Sequence, residues 1–184
     1  MKVLLRIVLW LVVIVVIIGI VGFFLPNDVS VSRVTSVNAD PSVVYNIVND
    51  LKTYDEWMPW NKRDPDMKKE FGPKTTGQGA WYRWESEDRN VGKGKLTIVE
   101  SIPSEKVVTR LEFAGYDPTA GGWRINRNGN STEVTWFMNS KMGNNPFARW
   151  MGLMMDQMVG SEFEKGLQEL KRVAENKAAT TSVD

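Results

Sequence analysis

The chain of 184 residues has no cysteine and no histidine. Together these absences remove disulfides, thiolate nucleophiles, the usual zinc ligand sets and any Ser-His-Asp or Cys-His pair. Much of ordinary hydrolase chemistry is excluded. Missing cysteine suits a reducing cytosol and an oxidising space equally, so no compartment follows from it. An excess of one charge is also absent. The 23 Lys and Arg are mixed along the soluble part with 22 Asp and Glu, which leaves no broad field for a nucleic-acid partner.

What is present begins at the N-terminus. From Ile7 to Leu25 the chain reads IVLWLVVIVVIIGIVGFFL without a charge. At about 1.5 Å of rise per residue, roughly 19 residues give just under the roughly 30 Å of a bilayer core. β-Branched residues are no obstacle there, because a helix is the one way for an isolated segment in lipid to satisfy its own backbone. Residues 1–26 are therefore expected to form a transmembrane anchor, meeting the membrane through residues 7–25. The alternative is a cleaved signal peptide with Lys2 and Arg6 as its charged start. Such peptides usually carry apolar runs of about 7–15 residues, and no alanine occurs before Ala39 to make a small-residue cleavage site. Lys2 and Arg6 precede the run, whereas Asp28 and then Arg33 follow it, so the positive-inside bias predicts a cytoplasmic N-terminus and an extracytoplasmic domain.

The remaining length suits one domain, expected over 27–176, with a small polar tail at 177–184 that frays. Valines alternate with polar residues at 29 and 31 and, after a phase slip, at 34 and 37, predicting a strand. Asp40-Pro41 supplies an N-cap and a first-turn proline for a helix carrying Val43, Val44, Ile47, Val48 and Leu51. Tyr54, Trp57 and Trp60 are spaced for a second short helix, broken by Pro59 and Pro65. From Lys68 to Met142, alternation interrupted at 77–79, 90–94, 103–104, 121–122 and 128–130 predicts an antiparallel meander of about five or six strands. Residues two apart share a face: Tyr82 with Trp84, Leu96 with Ile98, Val107 with Leu111 and Phe113, Val134 with Trp136 and Met138. Arg83, Glu85, Lys95, Arg110, Glu112, Glu133 and Thr135 fall in the opposite, wet phase. After Asn144-Asn145-Pro146 an apolar stripe of Phe147, Trp150, Met151, Met154, Met155, Met158, Phe163, Leu167, Leu170 and Val173 predicts a long helix whose apolar side covers the sheet. Gly160 interrupts that helix at a cost of about 1 kcal/mol and permits a bend or a close approach.

The order of these elements is that of an α+β helix-grip fold, a curved antiparallel sheet wrapped around a long C-terminal helix. The chain resembles the polyketide cyclase/dehydrase and lipid-transport family of the START-like (SRPBCC) superfamily. The likeness lies in Asp40-Pro41-Ser-Val-Val-Tyr45, Tyr54-x-x-Trp57-x-x-Trp60-Asn61, the Val91-Gly92-x-Gly94 hairpin followed by Ile98 and Pro103, and Met158-Val-Gly160-x-x-Phe163-x-x-Gly166-Leu167. The resemblance implies an apolar cavity between sheet and helix that takes lipids or other hydrophobic molecules, without naming one. No cofactor and no metal are expected.

By phase, the cavity candidates are Trp57, Trp60, Tyr82, Trp84, Leu96, Ile98, Leu111, Phe113, Trp136, Met138, Met151, Met154, Met155 and Met158. Four methionines within eight positions suit an adaptable pocket, and equally ordinary core packing. Trp81 falls in the outward phase with Arg83, as for a rim, a partner surface or a headgroup region. The loop from Ala114 to Gly122, with residues 60–65, frames a cavity mouth or is a plain hairpin loop. Asn130-Ser-Thr132 fits a glycosylation sequon but reads as a turn. Glu85, Arg110 and Glu112 are in the wet phase; Arg124 and Asp156 reach the interior only if a bulge shifts the phase. No catalytic constellation emerges. The expected function is membrane-anchored binding of a hydrophobic small molecule or lipid. A cyclase- or dehydrase-type enzyme and a tethered protein-interaction domain without a ligand are the alternatives.

Overall fold

Two devices of the sequence, an uncharged N-terminal run and a meander of short alternating segments, become the two parts of the molecule. The computed structural model describes residues 2–114 and 117–181. Helix α1 (Lys2–Phe24) is followed by β1 (Asp28–Val37), α2 (Pro41–Asn49), a 3₁₀ turn (Leu51–Thr53), α3 (Tyr54–Trp57) and α4 (Pro59–Arg63). Strands β2 (Lys68–Phe71), β3 (Trp81–Glu85), β4 (Lys93–Ile102), β5 (Lys106–Phe113), β6 (Thr119–Asn128) and β7 (Ser131–Lys141) lead to the closing helix α5 (Pro146–Thr181). All seven strands form one antiparallel sheet, ordered β1-β7-β6-β5-β4-β3-β2.

Helix α1 is apolar all round and long enough to cross a bilayer. From Val3 onward its residues are exposed, apart from half-buried Val13 and Gly19 and buried Gly22, the last of which meets α5. Helix α2 starts as its capping residues require: Asp40 accepts the Ser42 N–H at 2.9 Å, and Pro41 occupies the first turn, where no N–H is needed. Val44, Ile47 and Val48 are its buried side. Pro59, expected to break a helix, instead opens α4 for the same reason.

Three further expectations are corrected. Strand β1 keeps a single phase from Val29 to Val37, so Val34 is 58% exposed and Arg33 takes the inward position. Gly121-Gly122, expected as a turn, lies inside β6. These two residues are glycine because strands approach closely: Gly122 has φ of +151°, and a Cβ there would stand 2.9 Å from Val108 Cα. The connection from β5 to β6 thus spans only 114–118, and residues 115 and 116 of the expected mouth loop lie outside the described residues. Finally, α5 runs past Asn176 to Thr181, because Ala178 packs on the core and Lys177 pairs with Glu56 at 3.3 Å. Residues 182–184 of the expected tail lie outside the described residues.

The core sits between the concave face of the sheet and the second half of α5, where Phe163, Leu167, Leu170, Val173 and Ala174 are buried. Helices α2 and α3 close its far side.

Candidate functional site: the grip between sheet and helix

Strand register arranges the concave face in rows that cross the sheet. One row is Arg33, Trp136, Trp123 and Val107. The next but one toward the start of β1 is Val29, Ser140, Thr119, Leu111, Leu96, Tyr82 and Phe71, and beyond it lie Phe113, Gly94 and Trp84. The start of β1 is also where α1 joins. The grip therefore has an α1 end and a far end.

Its middle is filled by rings. Trp57 packs edge-on against Trp123 and Trp136, with centroids 5.6 and 5.7 Å apart. Trp136 stacks on Phe163 at 4.1 Å and 6°. That stack is close because Gly166 has no side chain; a Cβ there would fall 3.0 Å from Pro59 Cδ and closer still to Trp136. Tyr54 touches Trp57, Trp123 and Tyr82, and its hydroxyl donates to the Val48 carbonyl at 3.0 Å. Trp60 packs on Trp136 and Phe163. Such edge-to-face sets are worth about 0.5–1.5 kcal/mol per pair beyond area burial. Two donors in this cluster, Trp57 Nε1 and Trp123 Nε1, are buried without an acceptor. An unpaired buried N–H costs about 1–3 kcal/mol.

The interior offers little acid–base chemistry. Among the described residues its fully buried polar groups are Asn61, Ser86, Thr109 and Thr132, with no charged side chain. Burial pushes the hydroxyl pKa of both Tyr54 and Tyr82 up from 10, which keeps them neutral. Two cations on the concave face are both paired: Lys69, opposite Trp84, with Asp55 at 2.5 Å, and Arg33 with Asp156 at 2.8 Å and Glu164 at 2.7 Å, bonds that raise the Arg33 pKa further. Asp156 lies on the side of α5 that packs against β1, and Arg124 lies over Phe137, 4.3 Å from its centroid, on the outer face of the sheet. No group of three potential metal ligands occurs among the described residues.

Toward the start of β1 the same face is mainly apolar on β3 to β7, apart from Ser140 and Thr119, and is only partly covered. Leu111, Met138 and Trp84 are half-buried, Phe113 is 38% exposed, and Trp84 meets Phe113 edge-on at 5.6 Å. Trp84 is pinned there by Gly94, directly opposite it, and by donating to the Val91 carbonyl at 3.2 Å. A concavity of about 460 Å³ reaches Trp84 and Gly94 at the edge of the sheet but is otherwise lined by charged residues such as Lys69, Lys93 and Glu85, and one of about 730 Å³ lies outside the grip, beside Arg127 and Asp40. The outward Trp81 stacks with Arg83 and Lys95, as its phase predicts.

Of the residues expected to line the grip, Trp57, Trp60, Tyr82, Trp84, Leu96, Ile98, Leu111, Trp136, Met138 and Met155 come together on the core. Phe113 stands at its edge. Three methionines do not join them: Met151, Met154 and Met158 are 56, 56 and 58% exposed. The cause is glycine. Buried Gly152 and Gly160 let α5 lie against β1, with Val29 Cγ2 2.9 Å from where a Cβ of residue 152 would be, and that contact turns the methionines outward. Tyr54, Trp123 and Phe163 belong to the ring cluster but are missing from the expected set. For Trp123 the signal was present, since Trp123 and Ile125 alternate, but Gly121-Gly122 masked it as a turn.

None of the curated proteins compared with the chain matches it. Among solved structures, protein SA2116 from Staphylococcus aureus superposes with a TM-score of 0.62 at 14% identity, over 82% of this chain and 95% of that one. Protein CV1439 from Chromobacterium violaceum gives 0.56 at 13%, over 82% and 99%. The di-domain ARO/CYC StfQ of the steffimycin biosynthetic pathway gives 0.62 at 12%, over 83% of this chain and 52% of that one. These likenesses share the helix-grip architecture. A family model described as polyketide cyclase / dehydrase and lipid transport matches residues 28–175, the whole of the sheet and nearly all of α5, and the chain belongs to that family.

Proposed function

We propose that this chain is a membrane-tethered binding domain, organised as anchor 1–26 and domain 27–176, that takes a hydrophobic small molecule or lipid into the grip from its α1 end. The observation that carries this reading is the asymmetry of the concave face: sealed by rings around Trp123 and Trp136, but part-open at Leu111, Phe113, Trp84 and Met138, in the rows of the sheet toward the start of β1, the strand that follows α1. Apolar ligands partition into membranes, so an opening beside the anchor meets them where they are concentrated. Burial at about 25 cal/mol per Å² supplies affinity, and the unpaired indole N–H groups of Trp57 and Trp123 are suited to a ligand that carries an acceptor oxygen. The basic residues before the run favour an extracytoplasmic domain.

The test is titration of the full chain in lipid nanodiscs with a pyrene-labelled fatty acid. Saturable binding is expected, weakened at least several-fold by Leu111→Glu and unchanged by Arg83→Ala on the wet face. Equal binding by the wild type and Leu111→Glu would reject the grip as the site.

A further inference from the structure

The first third of α5 leaves an apolar stripe uncovered. Phe147, Met151, Met154 and Met158 follow one another at spacings of four, three and four residues, so they share one side of the helix. All are exposed, and Trp150 flanks them. No charge interrupts the helix between Arg149 and Asp156. The opposite side is committed to β1 through Gly152, Asp156 and Gly160.

This segment is also where α5 meets α1. Trp150 Nε1 donates to the Ile18 carbonyl at 3.0 Å. Arg149 donates to the carbonyls of Phe23 at 2.7 Å and Leu25 at 3.3 Å, the acceptors that the end of α1 leaves free. Gly22 is buried under Pro146, whose Cβ stands 2.7 Å from where a Cβ of residue 22 would be. Ile18 lies seven residues before the end of the apolar run, about 10 Å along a helix. A helix packed alongside that length of α1 cannot stay in water if α1 spans a bilayer. The contacts suit lipid as well: the Trp150 N–H has its acceptor supplied by protein, and Arg149 neutralises the negative end of α1 at headgroup depth.

We infer that residues 146–158 form a second membrane-contacting element, the Phe147–Met151–Met154–Met158 stripe lying in the lipid leaflet on the domain's side. The inference rests on the anchor reading of α1. It makes the tether a rigid two-helix mount that holds the α1 end of the grip at the lipid surface.

Because the chain has no cysteine, single cysteines can be placed cleanly. Full-length Met154→Cys, Met158→Cys, Val15→Cys and Lys165→Cys, each carrying the environment-sensitive dye NBD, are reconstituted into phosphatidylcholine vesicles with or without nitroxide-labelled lipids. Dyes at 154 and 158 are expected to shift to the blue and to be quenched several-fold by nitroxides near the headgroup. Val15 should be quenched best by nitroxides near the chain end, and Lys165 by neither. Quenching at Val15 with 154 and 158 behaving like Lys165 would overturn the inference and leave the anchor intact. No quenching at Val15 would remove the anchor and the inference together. A blue shift at 154 and 158 without quenching, accompanied by cross-linking between chains, would assign the stripe to a second copy and also overturn it.

Discussion

The guanidinium of Arg33 on β1 lies across the backbone of Gly160 in α5, where a Cβ would stand 2.6 Å from Cζ. From there it reaches Asp156 one turn before and Glu164 one turn after. Of the two roles expected of this glycine, a bend or a close approach, it serves the close approach and seats a cation. Gly160→Ala should therefore destabilise the protein by about 1–3 kcal/mol through displacement of Arg33, outweighing the better helix propensity of alanine. In an Arg33→Ala background the same change should become neutral or stabilising, as read by thermal unfolding of the four proteins of the cycle. Equal costs in both backgrounds would disprove the contact.

Trp123→Phe removes ring volume and also removes an N–H that has no acceptor. The two effects oppose, so the loss should stay below about 2 kcal/mol, against about 3–5 kcal/mol for Trp123→Ala. If the indole N–H serves a ligand oxygen, the variant should bind the pyrene fatty acid less well than it binds pyrene itself, and the wild type should show the reverse preference. Identical selectivity in both would exclude that role.

The Asp40 carboxylate is held at about 2, below its ordinary 3.8, first by the Ser42 backbone N–H and then by Arg127. A depressed carboxylate stabilises the fold above its unfolded value, and that contribution fades as pH falls from about 4 toward 2. Asp40→Asn keeps an oxygen for the Ser42 N–H but loses the charge. Its unfolding temperature should depend less steeply on pH in that window than the wild type's; parallel curves would contradict the assignment.

Burial raises the pKa of Tyr54 and Tyr82, so folding favours their neutral form, and stability should decline once pH exceeds the ordinary tyrosine value of 10. In alkaline titration their phenolate absorbance should appear together with loss of far-UV circular dichroism. Ionisation of all four tyrosines with the dichroism intact would be inconsistent with the ring cluster.

How much could be read in advance differs from element to element. The helix cap at Asp40-Pro41, the apolar α1 and the inward phase of Tyr82, Leu96, Ile98, Val134 and Trp136 were legible, because each depends on neighbours within a few positions. The long closing helix was legible too, as was its packing from Phe163 onward. The grip's aromatic centre was only half visible: Trp57 and Trp136 carried a signal, while Trp123 hid behind two glycines whose reason is the approach of β5.

By itself, the sequence determined the helix-grip order, the long apolar N-terminal helix and the exclusion of histidine and cysteine chemistry, since periodicity, composition and residue type are local properties. Tertiary structure alone decided that Gly121-Gly122 continue a strand, that Arg33 turns inward and that three methionines face away from the sheet. Those outcomes depend on which side of α5 can approach β1, and that is set by Gly152 and Gly160 meeting Val29 and Arg33, residues more than a hundred positions away. A hydrophobic stripe specifies what a helix would bury, but only the steric fit between distant elements specifies which of its sides does so.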